Sequence, residues 1–485
     1  MVSVELPEVT PLLLGGRHLD STSAGNLVTI NPATGSAIGS VAQAGKEELE
    51  AAVVAARVAF DDGRWSRIKA TDRGKILRRM AELIDSRMDA LLLAECTDSG
   101  KPVSKAGGEM QEAVATFEFF AGAADKQYGE TIPLGEGLLD FTLKEPVGVC
   151  ALIVPWNFPF LMAVRKVAPA LAAGCSVILK PASNTPLTAL MLGDIATEAG
   201  MPEGVISVLP GSGATVGTWL VQHPLVDKIA FTGETVTGRN ILKLAAETIK
   251  DVSLELGGKS PTIIFDDANI EAAIAAAIPS AFANSGQTCT ARTRLFVQEG
   301  AYDRVVAGLI EQTPSFLVGD PMEKSTKMGP LISESHLDRV SGYIDTGSGE
   351  GAELVYGGSR MPAAGPAFLE PTIFAGVRNS MRIAQEEIFG PVLAVIPFKD
   401  EQEAIALAND SQYGLAASVW TGNGGRALRV SKALQVGMVS VNSNGSGGVL
   451  TPFGGYKQSG LGRELSMEGL SLYTQTKNVY YALNG

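Results

Sequence analysis

Hydrophobic and polar positions change their period several times along the chain. From about residue 147 to 258, short apolar runs alternate with Ala/Leu-rich stretches of helical spacing. The runs are VGVCALIVP (147–155), SVILKP (176–181), VISVLPG (205–211), DKIAFTG (227–233) and VSLELGG (252–258). Breakers such as Ala173-Gly174 and Gly200-Met201-Pro202 close the helical stretches. Strands separated by single helices need crossover connections, which predicts a parallel sheet covered on both faces. A second alternating set opens at PTIIFD (261–266), passes through a helix to about Ala283 and RLFVQ (294–298), and continues through EEIFGPVLAVIPF and MVSVN. The chain therefore reads as α/β, with two doubly wound units. No low-complexity linker separates them, and the boundary near Gly257-Gly258 comes from the chemistry below.

Other segments have different periods. LVTINPATGSAIGSVAQA (27–44) has β-rich flanks around an Asn-Pro-Ala-Thr-Gly turn, which predicts a hairpin. Residues 45–122 are helical in pattern, with a break at Asp98-Ser99-Gly100-Lys101-Pro102. LDFTLKE (139–145) and YTQTKNVYYAL (473–483) are β-like and belong to neither unit. They suit strands that reach toward another subunit and, equally, local edge strands.

Composition narrows the function. Hydrophobic residues at 45% and charged residues at 19% of 485 describe a globular chain long enough for two or more domains. A net charge of −13 argues against a nucleic-acid partner. Four cysteines are too few for a secreted disulfide scaffold, and three scattered histidines form no evident metal site. The start MVSVELPEV lacks a signal-peptide pattern. The longest apolar stretch, Val147 to Val164, is interrupted by Pro155, Asn157 and Pro159 and closed by Arg165 and Lys166, so it reads as strand, loop and helix start, not as a membrane span. A cytoplasmic protein is expected.

Five segments fall where a strand ends or a loop begins, the edge at which open α/β sheets bind ligands. They are Pro155-Trp156-Asn157-Phe158-Pro159, Phe231-Thr232-Gly233-Glu234-Thr235, Glu255-Leu256-Gly257-Gly258, Gly286-Gln287-Thr288-Cys289 and Glu387-Ile388-Phe389-Gly390-Pro391. Cys150 and Cys175 lie in or beside apolar runs and read as small core residues. Cys289 lies instead among Asn284, Ser285, Gly286, Gln287 and Thr288 on a polar loop. By itself it fits a nucleophile and a structural thiol equally. A free thiol is only about 3% ionised at neutral pH, so a nucleophilic Cys289 needs a base or local dipoles. Glu255, ending an apolar strand before two glycines, is costly there without a function.

In order and spacing these segments resemble the aldehyde dehydrogenase superfamily over essentially the whole chain. Pro452-Phe453-Gly454-Gly455-Tyr456-Lys457 and Ser459-Gly460-Leu461-Gly462-Arg463-Glu464 extend the match. The resemblance implies an aldehyde dehydrogenase-like fold, with two doubly wound domains and a small β oligomerisation element. It implies a cofactor-binding domain at 1–123 and 147–257, a catalytic domain at 258–465 and a bridging element at 124–146 and 466–485. It implies a homodimer or homotetramer acting on a small aldehyde with NAD or NADP.

It also assigns roles. Cys289 is the nucleophile, and Asn157 with the Cys289 backbone N–H stabilises the oxyanion. Glu255 is the general base that activates water against a thioester, and Glu464 is a proton relay. Phe231, Gly233, Glu234 and Thr235 resemble the pyrophosphate turn, where a helix N-terminus faces phosphate. Relatives often carry Ser at position 234, and a carboxylate aimed at pyrophosphate would repel it, so either Glu234 points away or the local contact differs. Lys180 resembles the lysine at the adenosine ribose. NAD-preferring relatives often carry Glu three residues later, whereas Ser183 here leaves room for a 2′-phosphate. Glu387 and Phe389 resemble the groups holding the nicotinamide ribose and ring. Ile153, Pro155, Trp156 and Leu256 are implied around the cofactor, and Gly213 and Gly217 form a weak glycine signal after a strand.

For the substrate, the resemblance implies Phe158 and Arg165. Arg165 falls on the helix lining the substrate tunnel, where semialdehyde and small hydroxyaldehyde oxidisers often carry Arg. That suggests succinic semialdehyde, with betaine aldehyde or another small aliphatic or hydroxyaldehyde as the alternative. An arginine snorkelling from a helix face is the structural reading of the same residue. Succinic semialdehyde enzymes often carry a second Arg where this chain has Phe282-Ala283-Asn284. A CoA-acylating relative would typically lack Glu255, and a non-catalytic relative would not keep Cys289, Asn157 and Glu255 together.

Overall fold

The five apolar runs between 147 and 258 become the parallel core of an eight-stranded sheet. In this computed structural model, which describes residues 6–483, the sheet order is Gly460–Leu461, Asp251–Glu255, Lys228–Thr232, Val149–Ile153, Ser176–Lys180, Ile206–Val208, Leu12–Leu14 and Arg17–Leu19. The sequence start Met1–Glu5 and the last two residues, at the outer ends of the expected domain segments, lie outside the described residues. Val149–Ile153 comes first in the parallel set and sits in its middle, with Ser176–Lys180 on one side and Lys228–Thr232 on the other. The winding reverses there, and a reversal opens a crevice at the carboxyl ends of the strands.

Register brings the sequence-picked residues to that edge. Ile153 is opposite Lys180 on one side and opposite Phe231 on the other, and Thr232 is opposite Glu255. The strands are buried on both faces, which is why their sequences are continuous apolar runs. Helix Lys46–Asp61 covers one face. Helices Pro159–Ala173, Ala70–Ser86 and Val103–Ala123 pack together on the other.

The second set forms a seven-stranded sheet ordered Glu353–Tyr356, Thr372–Ala375, Val392–Phe398, Arg294–Gln298, Pro261–Ile264, Ala416–Trp420 and Met438–Val441. All neighbours are parallel except the edge strand Glu353–Tyr356. One crossing escapes the division by segments. Gly460–Leu461, inside the 258–465 segment, adds antiparallel to Asp251–Glu255 and so belongs to the first sheet. That pairing satisfies the edge of the strand that ends in Glu255.

The expected hairpin forms, with Asn26–Ile30 antiparallel to Ala37–Ala42. The helical region gives four helices, and Gly100, at φ 73°, ends the third at the predicted break. The two unassigned β pieces pair with each other. Leu138–Pro146 and Thr474–Ala482 run antiparallel over nine residues each, beside Thr131–Ile132. Leu139, Leu143, Tyr480 and Tyr481 on this sheet are exposed.

The apolar stretch from Val147 resolves into strand, loop and helix, and the helix goes further than the charges suggested. It starts at Pro159, suited to a first helical turn, and ends at Ala173 before Gly174 at φ 101°. Arg165 and Lys166 do not close the run. They lie inside the buried helix, each with an acidic partner. No helix among the described residues is long and apolar enough to cross a membrane.

Candidate active site

A cavity of about 210 Å³ opens where the two sheets meet. Its lining includes Asn157, Phe158, Met162, Glu255, Leu256, Cys289, Glu387 and Phe389. Residues far apart in the chain converge here because both sheets point their strand ends and following loops at the same crevice.

The nucleophile loop is built against backbone preference. Helix Ile270–Phe282 ends, and Asn284 and Ser285 then take left-handed conformations with φ of 53° and 58°. Side chains hold them there. Asn284 Nδ2 donates to the Asn157 carbonyl at 3.0 Å, and the Ser285 hydroxyl donates to the Gly329 carbonyl at 2.8 Å. The Gln287 side-chain oxygen accepts from the Ile332 N–H at 2.8 Å. Strain of this kind persists only where the surroundings over-determine it, and it clusters at functional sites. Asn284 and Ser285 supply that support from the motif's own flank, and only their polarity marked them in sequence.

Cys289 follows this loop, partly exposed to the cavity. Burial, with the nearby Glu387 and Glu255 carboxylates, pushes its thiol up to about 12. The resting site therefore holds a thiol, not a thiolate. Asn157 Nδ2 donates to the Gln287 carbonyl at 2.8 Å. An amide NH₂ has two donors, so this bond orients the group while a second N–H stays available.

Glu255 is buried, and its Oε2 has no hydrogen-bond partner. Burial first, and then the Glu464 carboxylate, raise it well above the usual carboxylate range. Glu464 in turn pairs with the buried Lys166 ammonium. The sequence reading named Glu464 and missed its partner Lys166, which looked like the end of an apolar run.

The same cavity also brings together several residues read as cofactor-binding, among them Gly233, Glu234, Glu387 and Phe389. Glu387 Oε1 accepts from the Gly258 N–H at 3.1 Å, and burial pushes this carboxyl up to about 7. Phe389 is left-handed at φ 60°. Its carbonyl accepts from His336 Nε2 at 2.8 Å, and its ring meets Trp156 edge-on at 5.4 Å. Burial lowers the pKa of His336, which favours the neutral ring. Gly233 and Glu234 precede helix Thr235–Ala245. Glu234 lines the cavity, and its Oε1 lies 3.9 Å from Arg339, which lines it too. Neither His336 nor Arg339 carried a sequence signal.

Lys180, pushed down to about 8 by burial, donates to the Pro181 carbonyl at 2.8 Å beside the π-helical turn Gly213–Gly217. The Ser183 hydroxyl donates to the Gly211 carbonyl at 3.0 Å. These residues form a second patch, apart from the Cys289 cavity. Ile153 is buried beneath both, and Pro155 and Trp156 line the cavity itself.

Phe158 also faces the cavity, its ring carrying the Lys101 ammonium 4.1 Å from the centroid. Arg165 is not among the cavity-lining residues. Its guanidinium pairs with Glu112 and lies 5.1 Å over the Phe453 ring. Among the described residues, no group of three or more His, Cys, Asp or Glu is arranged to hold a metal ion.

The chain matches the model of the aldehyde dehydrogenase family over residues 18–479. It is 44% identical over 473 residues to an aldehyde dehydrogenase of Emericella nidulans, covering 97% of this chain and 95% of that protein. It is 43% identical over 479 residues to a mitochondrial aldehyde dehydrogenase of Mesocricetus auratus, covering 98% and 95%. The crystal structure of an aldehyde dehydrogenase from Bacillus cereus with NAD+ superposes with a TM-score of 0.97 at 41% identity over the full length of both chains. A betaine aldehyde dehydrogenase from Staphylococcus aureus, also with NAD+, gives 0.96 at 40% identity over 98% and 95%. Motif order, fold and relatives agree from one end of the described chain to the other, and the chain belongs to the aldehyde dehydrogenase family.

Proposed function

We propose that this enzyme oxidises a short aldehyde to its carboxylate with a nicotinamide dinucleotide, through a thiohemiacetal and then a thioester on Cys289. The observation carrying this reading is that Cys289, the Asn157 side chain and Glu255 line one cavity. Cys289 Sγ bonds to the carbonyl carbon as its proton leaves to a base in the site. The carbonyl oxygen becomes an oxyanion, which accepts from Asn157 Nδ2–H and the Cys289 N–H. Glu387, Phe389 and the start of helix Thr235–Ala245 would hold a nicotinamide dinucleotide, which would supply the hydride acceptor needed to turn the thiohemiacetal into a thioester. Glu255 then takes a proton from water, the water oxygen bonds to the thioester carbon, and the Cys289 sulfur departs. Glu464 and Lys166 lie behind Glu255 as a route for that proton.

The cleft suits such a cofactor. A Cβ on Gly257 would fall 2.0 Å from the Glu387 carboxylate, so glycine there preserves the space in which Glu387 can face a ribose. The start of helix Thr235–Ala245 offers free N–H groups for a pyrophosphate, and Glu234 is turned toward Arg339. Lys180 and Ser183 serve the adenosine end. Ser183 is neutral, which supports use of NADP as well as NAD.

For the substrate, the Arg165–Glu112 pair is neutral as a unit, which favours a small aldehyde with an uncharged, hydroxyl-type far end. A carboxylated semialdehyde such as succinic semialdehyde is the second reading, favoured by the buried and unpartnered Arg165 Nε. A net-neutral pair gives betaine aldehyde no anionic attraction. The segments 1–123 with 147–257, 258–465, and 124–146 with 466–485 serve as cofactor, catalytic and assembly units. The exposed apolar face of Leu138–Pro146 and Thr474–Ala482 supports a homodimer or homotetramer. Four free cysteines fit a reducing, cytoplasmic setting.

Absorbance at 340 nm with glycolaldehyde, butyraldehyde, succinic semialdehyde and betaine aldehyde, each with NAD and NADP, tests the reading. Cofactor reduction that depends on Cys289 is expected. No reduction with any pair would refute it.

A further inference from the structure

We propose that Glu112 occupies the tunnel arginine from within the protein, so that an aldehyde bearing a distal carboxylate must displace it, and that Glu112 thereby sets the charge preference of the enzyme. This rests on the reading that Arg165 faces the substrate path.

The geometry supports that placement. Arg165 stands three residues after Met162 on helix Pro159–Ala173, and Met162 lines the Cys289 cavity. Its guanidinium lies over Phe453, which with Thr290, Thr451 and Pro452 lines an adjoining cavity of about 550 Å³. Thr290 follows Cys289 directly, so the two spaces adjoin at the nucleophile loop, and Arg165 packs on Phe453 in the wall of the second. Its charge also lowers the pKa of both Cys289 and Glu255, which places it near the reacting centre.

Glu112 reaches the guanidinium from a different helix, Val103–Ala123. The two side chains differ in freedom. That of Arg165 is 10% exposed and that of Glu112 is 30% exposed. A buried guanidinium left without a counter-ion is costly, so Glu112 stays inward unless another carboxylate takes its place. Because Glu112 is partly exposed, it can turn to solvent when that happens. Arg165 Nε, buried without a partner, is the donor an incoming hydroxyl can use while Glu112 still holds the outer nitrogen. An uncharged far end needs no exchange. A carboxylated one must compete with an acid already held in place, and preorganisation favours the resident group.

The test compares succinic semialdehyde with butyraldehyde through the ratio of their kcat/KM values in wild type, Glu112→Gln, Glu112→Ala and Arg165→Ala. Calorimetry of succinate binding to the Cys289→Ala protein, with and without Glu112→Gln, reads the same competition without turnover. The inference expects both Glu112 variants to raise the semialdehyde ratio by about tenfold or more, the worth of one charge-assisted hydrogen bond, and to tighten succinate to match. Arg165→Ala should remove the gain when combined with Glu112→Gln. If the Glu112 variants leave the ratio and succinate affinity unmoved while Arg165→Ala lowers them, the inference is overturned and the tunnel position of Arg165 stands. If no variant moves either quantity, that position falls as well, and with it the inference.

Discussion

The backbone N–H of Gly258 donates to the Glu387 carboxylate at 3.1 Å, joining residues 129 positions apart across the meeting of the two sheets. Gly258 comes just after the strand ending in Glu255, and Glu387 precedes the left-handed Phe389. One hydrogen bond thus ties the strand of Glu255, the proposed general base, to the group expected to hold a ribose.

Gly257→Ala should disturb this arrangement without unfolding the protein. The added Cβ would lie 2.0 Å from Glu387 Oε2, the far end of a flexible side chain, so the carboxylate moves before the backbone does. KM for the cofactor should rise at least about tenfold, equivalent to roughly 1.4 kcal/mol, with Tm almost unchanged. Steady-state kinetics and a thermal melt check both halves, and an unaltered KM would detach Glu387 from the cofactor.

Cys289→Ala should abolish turnover while the cofactor still binds, as fluorescence titration would measure. Burial and the neighbouring carboxylates push the wild-type thiol up to about 12 in the ligand-free state. Iodoacetamide should therefore modify Cys289 slowly at neutral pH, with a rate rising about tenfold per pH unit well past pH 9. Cys96, also pushed up to about 12, is buried and should not react in the native protein. A plateau near pH 8 would mean the thiol is activated before substrate arrives.

Glu255→Gln should keep a burst of reduced cofactor and lose steady-state turnover, provided that Glu255 chiefly activates water. Loss of the burst as well would assign it to the thiol. The pH profile carries a sign. Glu255 works only when deprotonated, and burial together with Glu464 raises its pKa. The acid limb of kcat should thus lie above the ordinary carboxylate range, with activity lost as pH falls through it. Glu464→Gln removes a raising charge and frees Lys166, so the limb should move down. Lys166→Met removes a lowering charge and should move it up. Stopped-flow bursts and kcat against pH separate these outcomes.

NADP should be used within roughly tenfold of NAD, a transition-state difference of about 1.4 kcal/mol or less. Ser183 donates to the Gly211 carbonyl at 3.0 Å and adds no charge where a 2′-phosphate would lie. Ser183→Glu should depress kcat/KM for NADP selectively. Exclusion of NADP by orders of magnitude in the wild type would contradict this role.

Sequence alone determined the elements and the chemistry carried by short contiguous motifs. Short apolar runs of strand length, bounded by turn residues and alternating with helical stretches, fit doubly buried parallel strands, and that pattern located Val149–Ile153 and Lys228–Thr232 within a few residues. Cys289 stood out by its polar loop and Glu255 as a carboxylate ending an apolar strand, while the roles expected of them and of Asn157 came from the family resemblance of the motifs. Tertiary structure decided the pairings. Arg165 and Lys166 looked like charges ending an apolar run, and their partners Glu112 and Glu464 lie 53 and 298 residues away. Glu234 has Arg339 from a distant helix 3.9 Å away, a neighbour its own motif does not indicate. His336 supports the Phe389 backbone from 53 residues away. Local spacing encodes which faces of a segment are apolar. Which buried charge meets which counter-charge depends on how separate helices and sheets pack, and a periodicity confined to one segment carries no record of that.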